Sequence, residues 1–448
     1  MKRLVTILER RSTTAAIVAA GMAARLLYLC AIANHPLASD AASYTEMARQ
    51  LGGGQHFIPY WPPGLPLFLA AMRSVFGASE LAARLVMLSF YLLLSYALYR
   101  TTVYLTSEAA CGNLALMPLA FTPGMICASV ETNTEMPAAA LLMVVACALI
   151  RIKQGKAGSA PLVLGVSIGC LSLLRPASLV LLLLAPLYVL WRTRSRLGFL
   201  SVGLIPAVMV FAWIWYVGGA TGHWVFINTA NARNFYLGNN PQTPLYRTWW
   251  MGSHHEPGAQ PATSESPEKM ASYSTLARTY IRNHPGLFLL RTVNRICAFF
   301  ALDTYFGAYI VENYGWDKSL GLSVVALDSI IYIILAMGFI LYLASLDGLD
   351  QPISTWSDRS IHGLLLASLC LLYAGPYFLA FSHPRFHFPI EPLLMAATAA
   401  FMWPFIQGAP RIVLDPIRAK GFAVTTALAV FVFIQIEFVV IIVRAGLV

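Results

Sequence analysis

Charge is what this chain has least of. Only 11% of its 448 residues are Asp, Glu, Lys or Arg, while 58% are hydrophobic. A soluble core of this length needs no such composition, so the several long apolar runs between short polar loops read as membrane spans. Alternating strand patterns are also missing. That leaves helices, which satisfy their own backbone hydrogen bonds inside lipid. The seven cysteines include no C-x-x-C pair and lie mostly in or beside apolar runs. They read as small core residues, not as a disulfide or zinc framework. No internal repeat is found.

What charge there is leans basic, with a net of +10. The basic residues cluster in short loops, "MKRLVTILERR", "RIKQGK", "WRTRSR" and "PRIVLDPIRAK". The positive-inside bias explains them, so no nucleic-acid partner is implied. Placing these loops in the cytoplasm orients about eleven spans: Thr13–Ala33, Leu81–Leu105, Asn113–Val130, Met136–Ile150, Leu162–Leu174, Ala177–Leu190, Leu197–Tyr216, Leu322–Leu343, Ile361–Leu379, Ile390–Phe405 and Phe422–Val443. Pro62–Phe76 is apolar but short, and reads as a helix along the outer face. The first span follows a basic tail and no small-residue cleavage site precedes Asp40, so a retained anchor is expected. Three regions result. Residues 1–216 form a transmembrane module with a first external loop over 35–80, residues 217–320 form a large external region, and residues 321–448 carry the last spans. Within the external region, Pro285–Phe300 is expected to be a basic amphipathic helix at the interface.

The polar features gather in the external loops. Asp40 opens a short helical pattern in which Tyr44, Met47, Ala48 and Leu51 share one face. The glycines at 52–54 and the Pro62-Pro63-Gly64 elbow then turn the chain back to the membrane. Asp40 reads either as an N-cap or as an acid held at the membrane edge. "VETNTEMP" brings Glu131 and Glu135 to a second external loop, and there a helix-dipole role for Glu135 weighs equally. "FSHPRFHFPIEP" sets Arg385 between prolines and two histidines, where its fork of donors suits a phosphate, or where it snorkels as an anchor. Arg25 inside the first span and Arg175 at the end of the fifth are ionisable groups at membrane depth. Arg25 alternatively pairs with a carboxylate or carbonyl in the bundle. His383 and His387 are four apart, but the prolines around them spoil a metal face. His254-His255-Glu256 lacks a third spaced ligand, so no metal residues are assigned.

Taken in order, "ARLLYL", Asp40-x-x-x-Tyr44 with "MARQL", "YWPPGLPLFLA", "FGASELAARL", "TEMPAAALLM", "LLRPASLVLL", "NFYLGNNP", "YIRNHPGLFLL" and "RFHFPIEPLL" resemble bacterial polyprenyl-phosphate-sugar glycosyltransferases. These are GT-C enzymes similar to protein O-mannosyltransferases and to the aminoarabinose transferases of lipid A. The resemblance implies an all-α integral membrane fold with external juxtamembrane helices. It also implies sugar transfer, with inversion, from a polyprenyl-phosphate donor to an acceptor hydroxyl on the periplasmic face of the inner membrane. Envelope glycan, lipid or protein would serve as acceptor. Asp40 takes the place of the family's catalytic base and Glu135 that of its second acid. Arg385 is the nearest match to the lipid-phosphate site, with Arg175 and Arg233 as further cations and His383 beside them. Tyr44, Tyr60, Glu131, Tyr236, Asn239 and Asn240 complete the expected substrate-binding set. The resemblance leaves a divalent cation open as cofactor.

The departures are specific. Ala41 stands where protein mannosyltransferases carry Glu, and Ser43 and Trp61 replace an arginine and a lysine of the aminoarabinose transferases. The phosphate site must therefore be built differently. A secondary transporter and a degenerate polyprenyl-lipid-binding protein stand as the alternative functions, although transporters usually show repeats and broken midplane helices.

Overall fold

A computed structural model of the chain describes residues 6, 8–52, 59–155, 158–243, 245, 267–348, 351–352 and 355–444. The glycines at 53 and 54 and the His254-His255-Glu256 run lie outside them. Among the described residues there is no strand, and all seven cysteines are free thiols.

The first half of the chain holds α1 (Arg11–Ile32), α2 (Ser39–Gly52), α3 (Gly64–Phe76), α4 (Glu80–Thr106), α5 (Ala109–Phe121), α6 (Pro123–Val130), α7 (Glu135–Lys153), α8 (Ala160–Leu174), α9 (Leu181–Thr193) and α10 (Arg196–Thr221). There follow α11 (Ala230–Gly238), α12 (Pro267–Asn283), α13 (Pro285–Phe299), α14 (Tyr305–Tyr314), α15 (Lys318–Ala344), α16 (Asp358–Leu379), α17 (Glu391–Ile406), α18 (Arg411–Ala419) and α19 (Gly421–Arg444). Several helices start where a side chain accepts an otherwise orphaned N–H: Ser79 from Ala82, Ser195 from Gly198, Asp317 from Ser319, and Ser357 from Ser360.

Nine helices among the described residues are long and apolar enough to span. The bent pair α5–α6 makes a tenth, and the shorter apolar α8 corresponds to the remaining expected span. The expected straight span Asn113–Val130 is instead broken, with α5 and α6 meeting at 71°. Pro123 lacks an N–H and cannot continue the ladder.

The centre of the bundle is set by α7 and by the segment Pro384–Ile406 that contains α17. The apolar windows of both are 78% buried, against 22–44% for the other spans. Small residues make this fit work. Ala138, Ala139 and Ala140 in α7, and Ala396 and Ala397 in α17, are solvent-inaccessible. Glu135 opens α7, and the 3-10 turn Pro384–Ile390 leads into α17. The two most enclosed helices thus carry charged groups at the same end of the bundle.

Helix α13 reverses its expected dress. Arg291 and Arg295 are buried, whereas Leu289, Leu290 and Val293 face outward. The arginines bond backbone carbonyls: Arg291 Nη1 that of Asn240 at 3.1 Å, and Arg295 Nη1 that of Ala380 at 3.1 Å. An apolar outer face against lipid and a polar inner face against freed helix-end carbonyls account for the reversal.

Candidate functional site

Four charged side chains from four chain segments meet at one end of the bundle. Asp40 stands in the first turn of α2, directly after Ser39, whose φ of 53° is the sparsely populated left-handed region. Glu135 is the first residue of α7. Arg175 caps α8 in an extended conformation, because Pro176 after it ends the helix. Arg385 sits in the 3-10 turn, and its N–H donates to His383 Nδ1 at 3.0 Å. Burial, and next the neighbouring Arg385 cation, push the His383 imidazole down to about 3. It is therefore a neutral acceptor near pH 7.

The four groups form one chain of ion pairs. Arg385 Nη2 donates to Asp40 Oδ2 at 2.7 Å, and Arg385 Nε lies 2.9 Å from Glu135 Oε1. Arg175 Nη2 donates to the same Glu135 Oε1 at 2.7 Å. Glu135 is enclosed, with 1% of its side chain exposed, while Asp40 keeps 21%. Within this cluster two carboxylates offset two guanidiniums. Saturation is incomplete, however. Glu135 Oε2 and Arg175 Nε are buried without a hydrogen-bond partner among the described residues. These two atoms leave hydrogen-bonding capacity unused within the cluster.

Aromatic rings frame the cations. The Arg385 guanidinium lies 4.2 Å above the Tyr305 ring, and Arg175 lies 5.7 Å from Phe386. The Tyr305 hydroxyl is buried and has no hydrogen-bond partner among the described residues. Burial holds that hydroxyl well above its ordinary value, so it stays a neutral donor. Tyr44, on the buried face of α2, rests on Trp61 at 5.1 Å between ring centres. Tyr305 is a site residue that sequence reasoning missed. It lies in the long region between spans, and no spacing links it to Arg385.

The remaining sequence candidates are placed elsewhere or do other work. Glu131 is enclosed by hydroxyls: Tyr314 at 2.6 Å, Tyr28 at 2.9 Å and Tyr309 at 3.3 Å. Burial pushes its carboxyl up, and these hydroxyls only partly pull it back. Arg233 donates to the Tyr60 hydroxyl at 3.4 Å, and the Tyr60 carbonyl accepts from Asn228 and Ala230. Tyr236 stacks on Tyr273 at 4.9 Å. Asn239 accepts from Arg295 at 3.1 Å and donates to the Phe235 and Leu379 carbonyls. Asn240 donates to the Tyr236 and Leu237 carbonyls. These two asparagines tie α11 to α13 and α16, with little left for a ligand. Arg25 is not in the cluster and bonds the broken span. Among the described residues no three His, Cys, Asp or Glu side chains are grouped so as to hold a metal ion.

This geometry bears comparison with known proteins. Residues 61–216 match the dolichyl-phosphate-mannose-protein mannosyltransferase family. That segment contains Glu135 and Arg175 but not Asp40 or Arg385. No curated protein matches the chain. Among solved structures, the apo crystal structure of the Archaeoglobus fulgidus oligosaccharyltransferase aligns over 94% of this chain and 54% of its own, with 11% identity and a TM-score of 0.50. The archaeal oligosaccharyltransferase AglB from Archaeoglobus fulgidus, in complex with an inhibitory peptide and a dolichol-phosphate, aligns over 95% and 54%, with 12% identity and a TM-score of 0.43. The chain thus spans about half the length of these structures. At such identity the apo structure shows a shared fold over the aligned part alone, and the GT-C resemblance read from the sequence agrees with that fold and with the matched segment.

Proposed function

We propose that this chain is a glycosyltransferase that takes a sugar from a polyprenyl-phosphate donor and delivers it to an acceptor hydroxyl at the outer face of the inner membrane. The observation that carries the reading is the junction of Asp40, Glu135, Arg175 and Arg385. A candidate base and two candidate phosphate-binding cations share one partly open site at the end of an apolar bundle. The family match over residues 61–216 supports the lipid-linked donor.

In this reading the isoprenoid tail lies among the spans and the head group enters beside Arg385. Asp40, as carboxylate, takes the acceptor's proton as the acceptor oxygen bonds to the anomeric carbon. The bond from that carbon to the phosphate oxygen breaks, and its electron pair leaves with the lipid phosphate. The phosphate gains one negative charge, which Arg385 and Arg175 stabilise. Attack from the face opposite the leaving group inverts the anomeric centre, with no covalent enzyme intermediate. Glu135 holds the two guanidiniums in register and keeps them charged.

The test is transfer of labelled sugar from a synthetic polyprenyl-phosphate donor by purified protein in liposomes, run beside a flux assay with the same sugar. Transfer without flux is expected. Flux without transfer would establish the transporter instead, and donor binding without either would establish a binding protein.

A further inference from the structure

The break between α5 and α6 exposes backbone groups that a continuous helix would satisfy. Leu119 O has no N–H to receive, because the residue four further on is Pro123. Gly124, whose N–H would otherwise reach Ala120 O, donates instead to Asp328 Oδ1 of α15 at 2.9 Å. A Cβ at 124 would stand 2.7 Å from Asp328 Oδ2, so a larger residue there would push the Asp328 carboxylate out of place. Both freed carbonyls are taken up by Arg25 of α1. Its Nη2 donates to Leu119 O at 2.8 Å and to Met125 O at 3.3 Å. Its Nη1 donates to Ala120 O at 3.2 Å and to Gly21 O at 2.8 Å. Its Nε donates to Ser129 Oγ at 2.9 Å.

Every donor nitrogen of Arg25 is thus used, no carboxylate is among its partners, and its guanidinium lies 3.7 Å over the Tyr91 ring. Close approach of α1 is built in as well, since a Cβ at Gly21 would stand 2.2 Å from the Tyr91 hydroxyl oxygen. A full arginine spent on main-chain oxygens inside an apolar bundle is an expensive way to hold two helices together. A continuous helix would need neither Arg25 nor Asp328. What the break achieves is direction. Helix α6 leaves it at 71° and ends at Val130, and the buried turn 131–134 then delivers Glu135 to Arg175 and Arg385.

We infer that Arg25 and Asp328 are positioning residues that clamp a deliberately broken span so that Glu135 reaches the two guanidiniums. The clamp acts through backbone groups, Arg25 by supplying donors and Asp328 by supplying an acceptor. The inference rests on the glycosyltransferase reading only for its rate measurement.

The experiment measures kcat for sugar transfer, thermal stability, and hydrogen exchange across residues 131–135 in the full chain in liposomes. Arg25→Met is expected to lower both stability and kcat, the latter about tenfold or more. Adding Pro123→Ala returns an N–H to Leu119 O. The double variant should regain stability while kcat stays low and exchange across 131–135 stays high, because the span straightens. Lys420→Met strips donors from the Ala344 and Leu346 carbonyls elsewhere in the bundle and serves as the control for stability loss alone. Should Arg25→Met fail to fold, Asp328→Leu takes its place, with Asp328→Asn, which keeps the acceptor, restoring the rate. Recovery of kcat together with stability in the double variant would reduce Arg25 to a packing residue and overturn the inference. So would equal rates for Asp328→Leu and Asp328→Asn. If the wild type transfers no sugar, the functional reading fails. Exchange across 131–135 still decides this one, and an unchanged pattern in Arg25→Met or Asp328→Leu overturns it.

Discussion

Asp40 and Arg385 lie 345 residues apart in the chain and 2.7 Å apart in space. Each comes from a turn whose geometry is set locally: the left-handed Ser39 before one, and the His383-capped 3-10 turn around the other. Their contact joins the first described loop of the site to the segment leading into α17.

The first prediction concerns the base. Asp40→Asn keeps the size of the side chain and can still accept from Arg385, but it cannot take a proton. Transfer should fall by about a hundredfold or more, with expression and donor binding retained. Comparable turnover by the purified variant and wild type would remove Asp40 from that role.

The second concerns the shared carboxylate. Glu135→Gln leaves two arginines facing a neutral amide in a buried place. Breaking a buried pair in this way costs about 3–5 kcal/mol. Melting temperature and donor affinity should both fall, and Arg175→Met in the same chain should restore part of the lost stability. A Glu135→Gln protein as stable as wild type would show that solvent already screens the site.

A third test separates ring from hydroxyl at Tyr305. Tyr305→Phe retains the face beneath Arg385 and loses only the unpartnered hydroxyl. If the hydroxyl donates to the substrate head group, this variant should lose about tenfold in kcat/KM with unchanged stability. Tyr305→Ala should lose stability in addition. Identical kinetics for wild type and Tyr305→Phe would restrict the residue to supporting the guanidinium.

The fourth is a pH effect. Asp303 accepts the Tyr305 N–H at 2.9 Å, and burial pushes its carboxyl up to about 6. A raised carboxyl favours the folded state only while protonated. Its contribution is present below about 4 and is lost as pH rises through about 6. Asp303→Asn should therefore melt higher than wild type above pH 6 and match it near pH 4. A melting difference of the opposite slope would contradict the assignment.

Four of the residues that meet in the candidate site were legible in the sequence because charge is so rare in this chain. In a chain with long apolar runs, an acid or arginine at the end of a run is conspicuous. Asp40, Glu135, Arg175 and Arg385 all stand at such ends. The spans were legible for the same reason, from length and apolarity. Three things were not. The fracture at Pro123 lies inside a run apolar enough to pass for one helix, and its stability depends on Arg25 and Asp328 from distant segments. The outward leucines of α13 follow from a lipid-facing environment that the periodicity alone does not assign to either face. Tyr305 acts through its ring beneath a guanidinium 80 residues away, and no local pattern encodes that contact. Glu131 illustrates the converse. It shares a loop with Glu135 and was expected in the substrate-binding set, but three tyrosine hydroxyls already bond it.

In the proposed reaction, the double engagement of Arg385 sets the order of events. Asp40 and Glu135 both lie on one guanidinium, so the proposed base is paired with Arg385 before a phosphate arrives. An arriving phosphate competes for the same donors, and any donor bond it wins loosens the Asp40 contact. The head group of the donor thereby frees the carboxylate that its own transfer requires. A water molecule that reaches the site ahead of the donor therefore meets a carboxylate already paired with Arg385.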